Sequence, residues 1–197
     1  MPQGSGSAAN DAGPSATPLP IDGAADASGS AVELSIVVPA YDEAANVLPL
    51  LGEIRSALAG KVAYEILMVD DASGDGTIRE VRIAMASDPR VRLLHHRRRA
   101  GQSAAITTGV LAARAPWIAT LDADGQNDPA DLPRLLEQAW ATECFPTPVV
   151  VVGHRRRRRD GIAKRVASRV ANAIRRRLLH DGVGDAGCGL KEFPRDA

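Results

Sequence analysis

The sequence predicts an α/β fold: a Rossmann-like, mostly parallel sheet with helices on both faces. From about Leu34 to Val152, short apolar runs typical of buried strands alternate with stretches whose apolar residues repeat at helical spacing. The turns between them are short, and such alternation is typical of parallel strands joined by helical crossovers. Ligands in these sheets bind beyond the carboxyl ends of the strands, so this edge is where we expect the chemistry.

Each element has its own support in the sequence. The five expected strands are residues 34–39, 65–69, 91–94, 117–121 and 149–152. Asn46 is expected to cap the first helix, which places Pro49 in the first turn, where its missing N–H costs little. A small-residue helix is expected at 102–113. Apolar faces mark the other helices: Val47, Leu50, Leu51, Ile54 and Leu58; Ile78, Val81 and Met85; Leu132, Leu135, Leu136 and Ala139.

Composition limits the class of protein. The 197 residues are 45% hydrophobic and 24% charged, which suits one domain with a real core. Residues 1–31 contain one short Leu-Pro-Ile stretch of larger apolar residues and no Lys, Arg or aromatic residue, so we expect a disordered tail. The folded domain is expected over residues 32–197. Two cysteines make no disulfide framework or zinc motif. No secretory signal or membrane-spanning stretch is recognisable, which predicts a cytoplasmic protein.

The charge is distributed unevenly. Residues 1–154 carry 11 Lys/Arg against 19 Asp/Glu, whereas residues 155–191 carry 12 against 3. This basic segment opens with five consecutive arginines and continues as an expected helix at 161–180. It is interpreted as a solvated face, a nucleic-acid patch or a surface for anionic lipid. Because the segment has no aromatic residue to stack on bases, we favour the membrane surface and expect no nucleic acid.

Carboxylates follow several of the expected strands. Asp75 and Asp128 are read as ordinary caps, since Asp is common in turns. Asp122 and Asp124 differ, because residues two apart at a strand end point the same way and repel each other unless a cation lies between them. Mg²⁺ or Mn²⁺ fits such a pair, and Gln126 supplies a further oxygen.

Four ordered blocks carry a resemblance to a known family: LSIVVPAYDEAANV, ILMVDDASGDGT, GQSAAITTG and TLDADGQNDP. From about Leu34 to Phe193 the chain resembles glycosyltransferase family 2, in its dolichol-phosphate mannosyltransferase-like branch. The resemblance implies a GT-A fold and an inverting, metal-dependent transfer of mannose or glucose. The donor would be a GDP- or UDP-linked sugar and the acceptor a polyprenyl or dolichyl phosphate at the cytoplasmic membrane face.

The resemblance also implies a role for individual residues. Those expected to bind the nucleotide sugar are Pro39, Tyr41, Glu43, Asp71, Ala123, Arg155 and Lys191. Asp122 and Asp124 would be catalytic through the metal, with Gln126 as a further ligand, and Arg169 and Lys191 would bind the acceptor phosphate. Independently, Tyr41 offers a flat face to a base, although packing against the first helix is equally compatible. Glu43 and Asp71 can accept hydrogen bonds from a base or ribose.

The chain departs from the family pattern in two places. Arg99 stands where Asn is common, and the family domain continues beyond the Lys191 segment, so the domain is expected to be incomplete at its C-terminus. Two other classes stay open. A haloacid-dehalogenase-type phosphohydrolase also uses Asp-x-Asp, although there the motif opens the domain and is followed by Thr or Val. A non-catalytic basic module would bind acidic lipid or RNA.

Overall fold

The computed structural model describes residues 31–141, 150–153 and 189–195, and the backbone of 19–20. The strands in this part of the chain are β1 (Leu19–Pro20), β2 (Leu34–Ala40), β3 (Tyr64–Asp70), β4 (Val91–His95), β5 (Trp117–Thr120), β6 (Val151–Val152) and β7 (Lys191–Pro194). The helices are α1 (Ala44–Leu58), α2 (Thr77–Ser87), α3 (Gln102–Ala112) and α4 (Leu132–Trp140), the last preceded by a 3-10 turn at Pro129–Asp131.

These strands form one sheet in the order β1-β4-β3-β2-β5-β7-β6. The central four, β4, β3, β2 and β5, are parallel, which confirms the predicted α/β architecture. β7 is antiparallel to β5, β6 is antiparallel to β7, and β1 is antiparallel to β4. The fifth predicted strand, β6, is not hydrogen-bonded to the four parallel strands, because β7, which the sequence did not predict, lies between β6 and β5.

The helices pack on both faces of the sheet, as expected. Every residue of β2 and β3 is buried, and their side chains alternate between two apolar clusters. One cluster joins the sheet to α1, α2 and α4, and the other joins it to α3. Gly109 shows why α3 is built of small residues: a Cβ there would overlap the side chain of Val37 in β2. The small-residue helix therefore lies directly against the sheet.

The start of α1 corrects the sequence prediction. The helix begins at Ala44, two residues before the expected cap Asn46, and Pro49 lies beyond its first turn. The reason is tertiary: Asp75 Oδ2 accepts a hydrogen bond from the Ala44 N–H at 3.0 Å, and the hydroxyl of Thr77, the first residue of α2, accepts one from the Glu43 N–H. These partners satisfy helix N–H groups that the local sequence leaves free. The predicted cap roles of Asp75 and Asp128 are confirmed, since Asp128 accepts from Ala130 N–H at 2.9 Å.

Several predictions lie outside the described residues. They are the tail at 1–18 and 21–30, and residues 155–188 of the basic segment, including Arg155 and Arg169. Within the part that the structure describes, none of the helices has the length and apolar character needed to cross a bilayer.

Candidate active site

A cleft of about 570 Å³ opens at the carboxyl ends of β2, β3 and β5. It brings together nine of the residues singled out from the sequence, which come from four separate stretches of chain. They are Pro39, Tyr41, Glu43, Asp71, Asp122, Ala123, Asp124, Gln126 and Lys191. The edge of the sheet where the strands' carboxyl ends meet is therefore the edge that carries the polar side chains, as the rule for open α/β sheets predicts.

Asp122 is held from three sides. Its Oδ1 accepts a hydrogen bond from the side-chain amide of Gln102 at 2.7 Å, and its Oδ2 accepts one from the side-chain amide of Asn127 at 3.2 Å. The backbone of Gly189 lies so close that a Cβ there would overlap the carboxylate. Only glycine fits at this position, because any side chain would displace Asp122.

Asp124 is more exposed than Asp122. Its Oδ1 accepts from the backbone N–H of Gln126 at 3.0 Å, within a turn in which Gly125 has a φ of 69°. β5 ends at Thr120, so the two aspartates belong to the loop after the strand rather than to the strand itself. They line the same cleft nonetheless.

The donor set fits a hard divalent cation. The side chains of Asp122, Asp124 and Gln126 line one cleft, and the oxygen donors that they offer are those that Mg²⁺ and Mn²⁺ prefer. In the described part of the chain, no cluster of three or more His, Cys, Asp or Glu side chains could hold a metal. A cation at Asp122 and Asp124 would need further oxygens from a substrate, which is the usual situation for Mg²⁺ bound with phosphates.

Asp71 organises the loop on the far side of the cleft. Its Oδ1 accepts from Ala100 N–H at 2.8 Å and from His96 Nδ1 at 2.7 Å, and its Oδ2 accepts from Gly101 N–H at 2.7 Å. Burial alone would raise the pKa of the Asp71 carboxyl, but these hydrogen bonds to its charged form outweigh burial and lower the pKa. His96 is itself buried, and its Nε2 lies 2.9 Å from the Thr108 hydroxyl.

Tyr41 and Arg99 form a stacked pair at the mouth of the cleft. The guanidinium carbon of Arg99 lies 3.8 Å from the centroid of the Tyr41 ring, and 38% of Tyr41 is exposed. One face of the ring is thus covered by a cation. The side chain of Glu43 is oriented by Asn46, whose amide donates to Glu43 Oε2 at 2.6 Å.

The loops after β2 and β3 are tied to each other. The Asp42 N–H donates to Ser73 Oγ at 3.0 Å, and the Gly74 N–H donates to Asp42 Oδ1 at 2.7 Å. Asp42 and Ala72 both have positive φ angles, 55° and 62°. Left-handed backbone at non-glycine residues is unfavourable and persists only where surrounding contacts impose it. Here those contacts join the loop that carries Tyr41 and Glu43 to the loop after β3.

Lys191 reaches the cleft because of β7. It is the first residue of that strand and lies opposite Thr120 of β5. The Thr120 hydroxyl donates to the carbonyl of Gly189 at 2.7 Å, which fixes the chain just before Lys191. Lys191 therefore lines the same cleft as the two aspartates.

The next residue, Glu192, points away from the cleft into the core. Its register partner is Ala119, which belongs to the apolar cluster beneath α1 and α4, so both side chains face that layer. Glu192 is fully buried, and neither carboxyl oxygen has a hydrogen-bond partner in the described residues. Burial raises the pKa of Glu192 to about 8.

Sequence reasoning missed four features of this site. Gln102 was quoted only as part of the small-residue helix, and Arg99 only as a departure from the family pattern. His96 and Asn127 were not considered. Gln102 and His96 carry no recognisable motif, because each contacts its carboxylate only after the crossovers bring separate strand ends together.

A family comparison identifies the family of the chain. The model of glycosyl transferase family 2 matches residues 35–197, and the chain belongs to this family. The resemblance recognised in the sequence is thereby confirmed.

Two curated relatives are similar to this chain over most of its length. The chain is 34% identical over 177 residues to dodecaprenyl-phosphate galacturonate synthase of Rhizobium johnstonii, covering 88% of this chain and 51% of the relative. It is 35% identical over 167 residues to undecaprenyl-phosphate 4-deoxy-4-formamido-L-arabinose transferase of Yersinia enterocolitica, covering 83% and 49%. Both names describe sugar transfer involving a polyprenyl phosphate. The chain spans about half the length of these relatives.

Solved structures share the fold. Glucosyl-3-phosphoglycerate synthase from Mycobacterium tuberculosis, in complex with UDP, superposes with a TM-score of 0.63 at 21% identity, covering 84% of this chain and 57% of that one. A mannosyltransferase from Pyrobaculum calidifontis, in complex with GDP-mannose and Mn²⁺, superposes with a TM-score of 0.59 at 24% identity. The match covers 85% of this chain and 46% of that one. At these identities the likeness establishes the fold, and we draw no residue roles from it.

Proposed function

We propose that this chain carries the donor site of a metal-dependent transferase that moves a sugar from a nucleotide donor to a polyprenyl phosphate. The observation that carries the proposal is the cleft itself. It is lined by Asp122, Asp124, Gln126 and Lys191, beyond the ends of parallel strands. The similarity to two polyprenyl-phosphate sugar transferases supports the acceptor class.

The reaction needs little proton transfer. A phosphate monoester is already an anion near neutral pH, so an acceptor phosphate oxygen attacks the anomeric carbon without a general base. The bond from that carbon to the donor diphosphate breaks, and the nucleoside diphosphate leaves with the electron pair. Catalysis then depends on positioning the two reactants and on stabilising the charge of the leaving group.

The acidic side of the cleft would serve the leaving group. Asp122, Asp124 and Gln126 would hold Mg²⁺ or Mn²⁺, which when bound neutralises charge on the donor diphosphate. Lys191 would contact donor and acceptor phosphates from the opposite strand, as a point charge. Ala123 is buried between the two aspartates and leaves room for the sugar nucleotide. Arg155 and Arg169 would add phosphate contacts from the basic segment.

The other side of the cleft would bind the nucleoside. Pro39 and Tyr41 offer apolar surface, and Glu43 offers a carboxylate already oriented by a neighbouring amide. Asp71 accepts three hydrogen bonds from protein groups, so its main contribution would be to shape the loop at 96–101 rather than to contact the base. Arg99 would present its remaining N–H donors to the nucleotide from above Tyr41.

The identity of the donor's sugar and base is a separate part of the proposal. Mannose or glucose on GDP or UDP is the expectation from the sequence, whereas the names of the two relatives carry galacturonate and 4-deoxy-4-formamido-L-arabinose. A donor screen therefore includes all four sugars. Membership of the family argues against the phosphohydrolase and against the non-catalytic basic module. The basic segment would instead bring the enzyme to the cytoplasmic face of an anionic membrane.

The proposal is tested by transfer to a short-chain, water-soluble polyprenyl phosphate, with Mn²⁺ or Mg²⁺. The exposed Asp124 is replaced by Ala, and Asp131, which is exposed away from the cleft, is replaced by Ala as the matched control. We expect Asp124→Ala to abolish transfer while its melting temperature stays close to wild type, because no core contact is removed. A wild-type rate for Asp124→Ala at saturating metal would refute the metal assignment.

A further inference from the structure

We propose that Gln102 is a positioning residue that fixes the orientation of Asp122 for metal binding. The inference rests on the proposed function, because it concerns how the chain prepares that carboxylate. Gln102 is the first residue of α3, and its side-chain Nε2 donates to Asp122 Oδ1 at 2.7 Å. The contact joins two elements that are twenty residues apart in sequence and end at the same edge of the sheet.

The backbone before Gln102 is anchored independently of Asp122. Gly101 has a φ of 93°, a conformation that side chains rarely adopt, and its N–H donates to Asp71 Oδ2. The Ala100 N–H donates to the other oxygen of the same carboxylate. Asp71 directly follows β3. The backbone just before Gln102 is therefore hydrogen-bonded to the end of a sheet strand.

Asp71 is itself held in place by His96. A carboxylate only accepts hydrogen bonds, so His96 Nδ1–H is the donor to Asp71 Oδ1, and the other ring nitrogen, Nε2, lies 2.9 Å from the Thr108 hydroxyl. Thr108 lies in α3, the helix that Gln102 begins. The hydrogen bonds thus run from α3 through His96 and Asp71 back to the start of α3, and from Gln102 to Asp122.

The effect on Asp122 is to fix its orientation without changing its charge. Gln102 and Asn127 each donate an amide N–H to one carboxylate oxygen, and the Gly189 backbone closes the third side. A carboxylate oxygen has two lone pairs, so accepting one of these hydrogen bonds does not by itself exclude a cation. Asp124, by contrast, is exposed in a turn of its own. We infer one fixed ligand and one adaptable ligand, which lets the site close around a diphosphate-bound cation.

Groups that orient a metal ligand have a characteristic effect when they are removed. Their loss lowers metal affinity by about 10- to 100-fold while the ligands themselves stay in place. Gln102→Met is the sharpest variant, because methionine has a similar length, forms helices well and has no N–H. Thr107→Ala is the matched control: Thr107 is exposed on the same helix, and its hydroxyl donates only to the Ser103 carbonyl of that helix.

The experiment is a Mn²⁺ titration followed by electron paramagnetic resonance, in the presence of UDP and separately of GDP. We expect the Mn²⁺ dissociation constant of Gln102→Met to rise by about 10-fold or more, and Thr107→Ala to match wild type. Affinity for the nucleotide alone, measured in EDTA, should be unchanged. In the transfer assay, saturating Mn²⁺ should restore kcat for Gln102→Met, which it could not do for a damaged fold.

The possible failures are distinguishable. If wild type binds no Mn²⁺ with either nucleotide, the metal-dependent function proposed above fails first. If wild type binds Mn²⁺ and Gln102→Met binds it equally well, the positioning role is overturned and the proposed function stands. If Gln102→Met and Gln102→Ala both melt far below wild type, Gln102 serves folding and the inference is again overturned.

Discussion

The buried carboxyl group of Glu192 predicts an unusual dependence of stability on pH. Glu192 is fully buried on β7, its oxygens have no hydrogen-bond partner in the described residues, and burial raises its pKa to about 8. Folding therefore favours the protonated form. Replacing the residue by glutamine keeps its shape and removes its ability to ionise, so the variant isolates the cost of this one charge.

The magnitude follows from the two pKa values. The unfolded chain titrates Glu192 near the ordinary value of 4.5, and the folded chain near 8. Between these values the folded protein binds more protons than the unfolded one, so the free energy of unfolding falls as pH rises. One pKa unit corresponds to about 1.4 kcal/mol, so Glu192 costs wild type about 3 to 4 kcal/mol between pH 5 and pH 8.

The assay is urea unfolding of wild type and Glu192→Gln at several pH values in that range. The buried amide has its own pH-independent cost, so the quantity to follow is the difference in unfolding free energy between the two proteins. That difference should move in favour of Glu192→Gln by about 3 to 4 kcal/mol from pH 5 to pH 8, while all other titrating groups cancel. Glu137→Gln, at an exposed position on α4, is the control and should show no such trend.

Parallel stability curves for wild type and Glu192→Gln across this range would refute the reasoning. They would mean that the Glu192 carboxyl ionises in the folded protein as easily as in the unfolded one. A trend of the same size in Glu137→Gln would equally remove the support, because burial would then not be the cause.

Two further predictions concern the hydrogen bonds of Asp71 and the packing of Gly109 against the sheet. Asp71→Asn replaces one accepting oxygen by an amide N–H that faces another N–H. We expect the free energy of unfolding, measured with urea, to fall by about 1 to 3 kcal/mol. Nucleotide binding, measured by calorimetry, should also weaken. Because hydrogen bonds lower the pKa of Asp71, its stabilisation is present above its ordinary value of 3.8 and fades as pH falls below it, so the variant should approach wild type in acid. Gly109→Ala should destabilise the protein by about 1 to 3 kcal/mol despite better helix propensity, since its Cβ would overlap Val37, and adding Val37→Ala should recover part of the loss. Additive losses in that double variant would contradict the packing account.

The sequence determined the layered architecture and the edge that carries the chemistry. Apolar runs located the four central strands and the small-residue helix α3 to within one residue at each end, and apolar faces located the other three helices, although α1 begins earlier than predicted; burial imposes those periods directly. The same alternation identified the carboxyl edge of the sheet, and the residues that follow β2, β3 and β5 do line one cleft. These are local properties, which neighbouring residues specify by themselves.

Tertiary structure decided the rest. β7 has no local pattern that reveals an antiparallel partner for β5, and α1 begins early because its N–H groups find acceptors on the loop after β3 and at the start of α2. The contacts of Gln102 with Asp122, and of His96 with Asp71, join residues that are twenty or more positions apart. Hydrogen bonds of this kind depend on distance in space, and only the parallel crossovers bring those positions within reach of each other.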